Sequence, residues 1–311
     1  MLTFFTTAKP FKGHDGIIQR NALKSWTLLH PGVRVIVFGD DEGAAEVCAE
    51  LGLQHEPKVE RHESGAKRLN HMFRRAQELS AHDFLCFSNC DIILMSDFWD
   101  SFEKARAWRK RFLLVARRWD TDVTEPIDFS SPVWAPRLRA FAMDTAFQQD
   151  AYWIDIFLFS RGMYLDMPPL IVGHCFWDNW MIWKAKADHA PVLDSTHTIM
   201  PIHQNHGYNP VFGRVKGYSK DALSLFNLSL IGGMRHFRNI NSSTHYVGRN
   251  GKIRFRWFRH PGETPKSVLA VSRFVLYKVW LPVWHALLGI TRPLRSVLGL
   301  RSGVIHSRRK A

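Results

Sequence analysis

The stretch that most constrains this chain is His82 to Asp97, HDFLCFSNCDIILMSD. Phe84 to Phe87 and Ile92 to Met95 are short apolar runs without helical period, separated by Asn89-Cys90-Asp91. Such a run, bounded by polar residues, reads as a buried central strand. Burying an ionised group is costly unless it is paired or bound to a cation. At the carboxyl end of a strand in an open α/β sheet a carboxylate stands where ligands bind. Asp91 therefore reads as a residue that meets a ligand or a metal. The plainer alternative is an Asp capping the turn or helix that follows.

The surroundings alternate between strand and helix. Leu2 to Thr7, Val33 to Phe38, Leu53 to His55, the Phe84 run and Phe112 to Ala116 read as strands. Gly16 to Leu29, Gly43 to Leu51, Gly65 to Leu79 and Phe98 to Arg109 read as helices between them. This order predicts an α/β fold with a mostly parallel sheet sandwiched by helices. Neither GxGxxG nor GxxxxGK[ST] follows the first strand, so a dinucleotide fingerprint and a P-loop are both absent. Later strands are expected at Ile154 to Phe159, Pro191 to Asp194 and around Ile199 to Tyr208.

Charge divides the chain in two. Residues 235–311 hold sixteen Lys and Arg against one acid, Glu263, whereas residues 1–234 are close to neutral. The expected organisation is one domain over 1–234 and a basic helical extension over 235–311, a hairpin turning at Asn250-Gly251 followed by an amphipathic helix. A nucleic-acid surface over the whole domain is not implied. The composition, 46% hydrophobic, supports a substantial core. Cys48, Cys86, Cys90 and Cys175 form no CxxC pair, and buried free thiols are the simplest account. The start, MLTFFTTAKPF, lacks the basic and long apolar regions of a secretory leader.

Three constellations could carry chemistry. Asn89-Cys90-Asp91 is the first. Asp178 within Trp177-Asp178-Asn179-Trp180 is the second. Indole rings exclude water, raise a carboxylate's pKa and stack on sugar faces, which suits a general base in a carbohydrate site. The alternative is a helix-start Asp among core tryptophans. His203-Gln204-Asn205-His206 is the third, with imidazoles that would join a carboxylate on Mn or Zn. Ordinary hydrogen bonding is the alternative there.

In order and spacing, QRNALKSW (Gln19 to Trp26), FGDDEG (Phe38 to Gly43), NCDIIL (Asn89 to Leu94), WDNW (Trp177 to Trp180) and IHQNH (Ile202 to His206) resemble GT-A-type nucleotide-sugar glycosyltransferases, specifically a bacterial family 2-like group. The resemblance covers about Leu2 to Tyr208. It implies a Rossmann-like GT-A domain and transfer of a sugar from a nucleotide-sugar donor to a glycan or lipid-linked acceptor, in surface polysaccharide synthesis. Asp91 matches the last acid of that group's DxD motif and Asn89 replaces the first, a departure that puts metal dependence in doubt. Asp91, His203 and His206 would hold a divalent metal, Mn or Mg. Thr6, Thr7, Arg20, Arg68, Asn70, Asn89 and Asp91 would meet the donor. Asp155, Trp177 and Trp180 would meet the acceptor, and Asp178 would act as base in an inverting, in-line reaction. Lys9 or Arg68 would share the diphosphate charge. A non-catalytic carbohydrate- or nucleotide-binding protein with a degenerate DxD site is the alternative from another class.

Ser267 to Gly289 is apolar but carries Arg273 and Lys278, so a membrane span is not expected. With Trp280 and Trp284 it suits a helix lying on an anionic membrane surface. That predicts a cytoplasmic protein peripherally attached to the inner face of the membrane. A helix packed on the domain and a nucleic-acid arm are the alternatives, the second disfavoured.

Overall fold

The computed structural model of the chain describes residues 1–206 and 221–256. In chain order the elements are β1 (Leu2–Thr7), α1 (Gly13–Thr27), β2 (Arg34–Phe38), α2 (Ala44–Leu51), β3 (Gln54–Glu56), α3 (Leu69–Leu79), β4 (Phe84–Ser88), β5 (Ile92–Ile93) and α4 (Ser96–Trp108). There follow β6 (Leu113–Val115), β7 (Trp119–Thr121), α5 (Trp134–Thr145), β8 (Phe147–Gln148), β9 (Ile156–Ser160), α6 (Trp177–Ala187), β10 (Val192–Asp194), β11 (Ile202–Gln204), α7 (Ala222–Leu230), β12 (His245–Val247) and β13 (Ile253–Phe255).

Nine strands form one sheet in the order β13-β12-β10-β6-β9-β4-β1-β2-β3. The pairings are parallel except where β9 lies antiparallel between β4 and β6 and where β13 folds back on β12. Side chains alternate across the sheet as the strand period demands. Phe5, Ile36, Phe38, Phe87 and Phe157 pack beneath α3 and α6. Phe4, Val35, Val37, Cys86 and Leu158 pack on the other face, against α1, α2 and α4. Leu69, Met72, Phe73 and Ala76 show how α3 does this, all buried at one helical spacing. The mixed α/β fold with a mostly parallel sheet between helices is thus as expected.

Gly39 follows β2 at φ +108°, a backbone that side chains with a Cβ rarely adopt, which favours glycine there. A smaller sheet, β5-β11-β7-β8, crosses the carboxyl edge and packs with α5 over Ile93, Leu138 and Ile202. The hairpin expected at Asn250-Gly251 joins β12 to β13, with Gly251 at φ +74°. Both strands extend the main sheet, so the sheet runs past the boundary drawn at 234/235. The apolar segment 267–289 and its continuation lie outside the described residues. Among the described residues no helix is long and apolar enough to cross a membrane. All four cysteines are free, and three of them are buried.

Candidate active site at the carboxyl edge of the sheet

Strand direction gathers the polar residues. β1, β2, β4 and β6 run parallel, so their ends share one edge, while β9 runs the other way and begins there. The register pairs Ser88 with Ile156, which sets Asn89 beside Asp155. Asn89 N–H donates to the Asp155 carbonyl at 3.1 Å, and its side-chain amide donates to the Asp155 carboxylate. Immediately after Asp91, β5 pairs antiparallel with β11, placing His203 opposite Ile92. β11 also pairs with β7, placing His203 opposite Asp120. Three strands from distant parts of the sequence therefore converge on Asp91.

The QRNALKSW stretch braces this arrangement from α1. Gln19 holds Lys9 by two hydrogen bonds, accepting from its N–H at 2.7 Å and donating to its carbonyl at 3.1 Å. Asn21 donates to Gln204 Oε1 at 3.0 Å, and Gln204 Nε2 donates to the Asp91 carbonyl at 3.1 Å. Trp26 Nε1 donates to the Ile92 carbonyl at 2.8 Å, and Ser25 Oγ accepts from Leu94 N–H at 3.1 Å. The bonds made by Asn21, Ser25 and Trp26 are buried and hold β5 and β11 in place.

At the centre, Asp91 Oδ2 lies 3.1 Å from His206 Nε2 and 3.7 Å from His203 Nε2. One ligand atom from each of the three lies within 4.8 Å of the others. Asp91 Oδ1 is buried and has no hydrogen-bond partner. One carboxylate, two imidazoles and an orphaned oxygen make a donor set that fits a divalent cation. Burial alone would raise the Asp91 pKa, but His203, His206 and Arg118 hold it well below the usual carboxylate range. Lys9 Nζ lies 3.3 Å from His206 Nδ1 and 3.2 Å from Asp15.

A second tier of charges stands behind the imidazoles. His203 Nδ1 lies 3.3 Å from Asp120 Oδ1, the carboxylate–histidine arrangement that orients a metal ligand. Arg118 reaches Asp120 at 2.7 Å and Asp155 at 2.8 Å, so the contacts run unbroken from Asn89 to His206. Burial opposes the His203 charge, yet Asp91 and Asp120 raise its pKa overall. Burial likewise acts to raise Asp120, while His203 and Arg118 lower it on balance. Neither Arg118 nor Asp120 was expected from the sequence. The available signal was their spacing, two apart just past an apolar strand, which puts both on one face.

Asp178 occupies the first turn of α6. Burial pushes its carboxyl up to about 7, helped by the nearby Asp155 charge and opposed by the Asn179 backbone N–H and Arg118. Just before it, Phe176 takes φ +82°, a left-handed backbone that a bulky residue adopts only under constraint.

Seven further expected positions lie outside the Asp91 cluster. Trp177 and Trp180 are 5% and 4% exposed and pack in the core, Trp177 against Phe87 and Phe157, so neither presents a face to a sugar. The second half of the α6 pattern is simply the core stripe of a helix under a sheet. The exposed indole beside the network is Trp153, 38% exposed, with the Arg118 guanidinium 4.7 Å from its ring centre. Arg20 points away and pairs with Glu50 on α2. Arg68 is taken up by the Pro169 and Arg61 carbonyls at 3.2 and 3.4 Å, on the connection into α3. Thr6 is buried beside Cys90, Thr7 Oγ1 donates to the Phe38 carbonyl at 2.9 Å, and Asn70 Oδ1 is buried without a partner. Besides Arg118, a second buried cation at this edge is Lys67, which donates to the Ala8 carbonyl at 2.9 Å and pairs with Asp41.

No family profile and no curated protein matches the chain. Solved structures do resemble it. Staphylococcus aureus TarS 1–349 in complex with UDP-GlcNAc is 8% identical over 69% of this chain, at a TM-score of 0.46. The chain spans 61% of that fragment's length. Mycobacterium tuberculosis glucosyl-3-phosphoglycerate synthase is 11% identical over 75% of this chain and 81% of its own, at 0.44. The same enzyme in complex with Mg2+ and uridine diphosphate gives 12% identity over 75% and 80% of the two chains, at 0.43.

Proposed function

We propose that the protein is a glycosyltransferase that moves a sugar from a nucleotide diphosphate to a hydroxyl of a glycan or lipid-linked acceptor, with inversion at the anomeric carbon. The observation that carries this reading is the meeting of Asp91, His203 and His206 at the carboxyl edge of an α/β sheet, with Asp91 Oδ1 buried and unsatisfied. These three residues would hold Mn2+ or Mg2+. Such a cation supplies positive charge where the departing diphosphate gathers negative charge. Asp120 keeps His203 oriented through Nδ1, and Lys9 adds a cation beside His206. Asp178, ionised, takes the proton of the acceptor hydroxyl as its oxygen bonds to the anomeric carbon and the bond to the diphosphate breaks. The basic stretch 235–311 suits attachment to the inner face of a membrane, close to a lipid-linked acceptor.

A panel of UDP, GDP, CDP and dTDP tests the donor site by melting midpoint, with and without Mn2+. One nucleotide at 100 times its dissociation constant stabilises by about 2.7 kcal/mol. That gain should require Mn2+ and vanish in Asp91→Ala. No response to any nucleotide would overturn the reading.

Asn89 favours a second reading, nucleotide or sugar binding without turnover. Its amide is committed to Asp155 and brings no charge to a cation. Donor hydrolysis in the presence of Mn2+ separates the two: release of free sugar supports the transferase, and binding without release supports the binding protein.

A further inference from the structure

We propose that the cavity on the far side of Asp120 binds an uncharged, hydroxyl-rich sugar ring and is the acceptor subsite; its role as acceptor site rests on the transferase reading above. The cavity, of about 400 Å3, opens between β7, the end of α5, β8 and the residue after β11. That volume falls within the range of small-molecule sites, about 300–1,000 Å3.

Its walls carry two carboxylates, Asp120 and Asp122, two amides, Gln149 and Asn205, and two rings, Phe141 and Phe147. The polar groups are held by one another. Gln149 Nε2 donates to Asp120 Oδ2 at 2.7 Å, and Asn205 Nδ2 donates to Asp122 Oδ1 at 2.8 Å. A carboxylate accepts about four hydrogen bonds; Asp120 is taken up by Arg118, His203 and Gln149, so Asp122 is the acid that retains capacity for donors from a ligand. Thr121 and Thr145 hydroxyls, 2.8 Å apart, tie the end of α5 to β7 and fix the cavity's width.

The rings supply an independent observation. Phe147 is 68% exposed and Phe141 42% exposed, and both belong to the wall of the same polar cavity. Clustered exposed apolar surface marks a binding place. Hydroxyl acceptors facing flat apolar rings match a pyranose, whose rim is hydroxyl and whose faces are C–H.

Charge narrows the class further. Among the described residues no Lys, Arg or His lines the cavity, and of its two acids Asp120 is paired with Arg118 while Asp122 faces Asn205. A phosphate or uronate would meet like charge there, so the fitting ring is neutral. Position connects the cavity to the chemistry, because Asp120 both lines it and contacts His203 at 3.3 Å. A sugar in the cavity is one side chain away from the Asp91 cluster.

Saturation-transfer NMR tests this with methyl β-D-glucopyranoside, methyl β-D-galactopyranoside and methyl N-acetyl-β-D-glucosaminide, set against glucose 6-phosphate and methyl glucuronide. The full chain is measured with and without UDP and Mn2+. A neutral glycoside should give enhancements on its C–H face at least fivefold above the anionic sugars. Phe147→Ser and Asp122→Leu, both surface changes checked by melting midpoint, should each weaken them fivefold or more. Equal response to anionic sugars, or signals untouched by both variants, would overturn the assignment. Absence of any neutral-sugar signal would do the same in a protein whose UDP melting shift still needs Mn2+. Sugar binding that persists while no nucleotide binds would instead leave the cavity standing and sink the transferase reading.

Discussion

Asp91 and Asp178 lie in the same network of charges, yet their surroundings push them in opposite directions. Both are penalised by burial. At Asp91 two imidazoles and Arg118 more than offset that penalty, and the carboxyl stays ionised. At Asp178 the nearby carboxylate Asp155 adds to the penalty, and the carboxyl rises to about 7. An acid held ionised suits a cation. An acid poised near neutrality suits proton transfer. Two carboxylates separated in this way are how a site divides acid–base work from charge binding.

Removing either side should break the contrast, and the larger effect belongs to Asp91. Asp91→Ala deletes the carboxylate of the cation site and should lower transfer by at least about 10³-fold, several kcal/mol at 1.36 kcal/mol per tenfold, with the nucleotide melting shift lost. Asp178→Asn should lower kcat by about 10²-fold or more while nucleotide binding stays intact, since only the proton acceptor is gone. Loss of nucleotide binding in Asp178→Asn would mean that the two roles are not separate. Asp120→Asn sharpens the comparison from behind, because it frees His203 without touching Asp91; Mn2+ affinity by titration calorimetry should fall about 10- to 100-fold.

The pH dependence follows the same division. Transfer with saturating Mn2+ should climb through about pH 7 and then level, as Asp178 ionises. For stability the sign is opposite. The raised Asp178 pKa stabilises the fold fully below the ordinary carboxylate value, and that contribution is lost as pH rises through about 7. Asp91 stabilises above the ordinary carboxylate value, and its contribution is lost as pH falls through its depressed one. Asp178→Asn should therefore flatten the stability curve between pH 4 and 7, seen in urea midpoints.

Two tryptophans extend the comparison from charge to packing. Trp177→Ala in the core should cost roughly 3–5 kcal/mol of stability. Trp153→Ala, at 38% exposure, should cost much less, and a loss of sugar transfer there would report either contact with a sugar or a displaced Arg118, which Trp153→Phe separates by keeping a ring under the guanidinium.

Hydrophobic period exposed the strand ends in the sequence, and with them Asp91, because a buried strand followed by an acid is a local pattern. The pairing of β5 with β11 was not local. His203 is held beside Asp91 by register between segments far apart in sequence. Arg118 and Asp120 offered only their spacing for the same reason: β7, which carries Asp120, is three residues long and belongs to a sheet formed from four scattered strands. Trp177 and Trp180 misled because an aromatic run flanking an acid reads alike whether it lines a cleft or faces a core. Only the three-dimensional contact with Phe87 and Phe157 separates the cases. Arg20 misled more simply, since the helix turns it off the face of the buried Asn21 and toward Glu50 on α2.

Carboxyl titration by 13C NMR of the metal-free protein tests the central contrast most directly, with Asp178→Asn and Asp91→Asn spectra giving the assignments. One aspartate should titrate near pH 7 and disappear in Asp178→Asn, while the signal lost in Asp91→Asn should remain ionised well below pH 3.8. Titration of both carboxyls together in the ordinary range would contradict the division of labour between them.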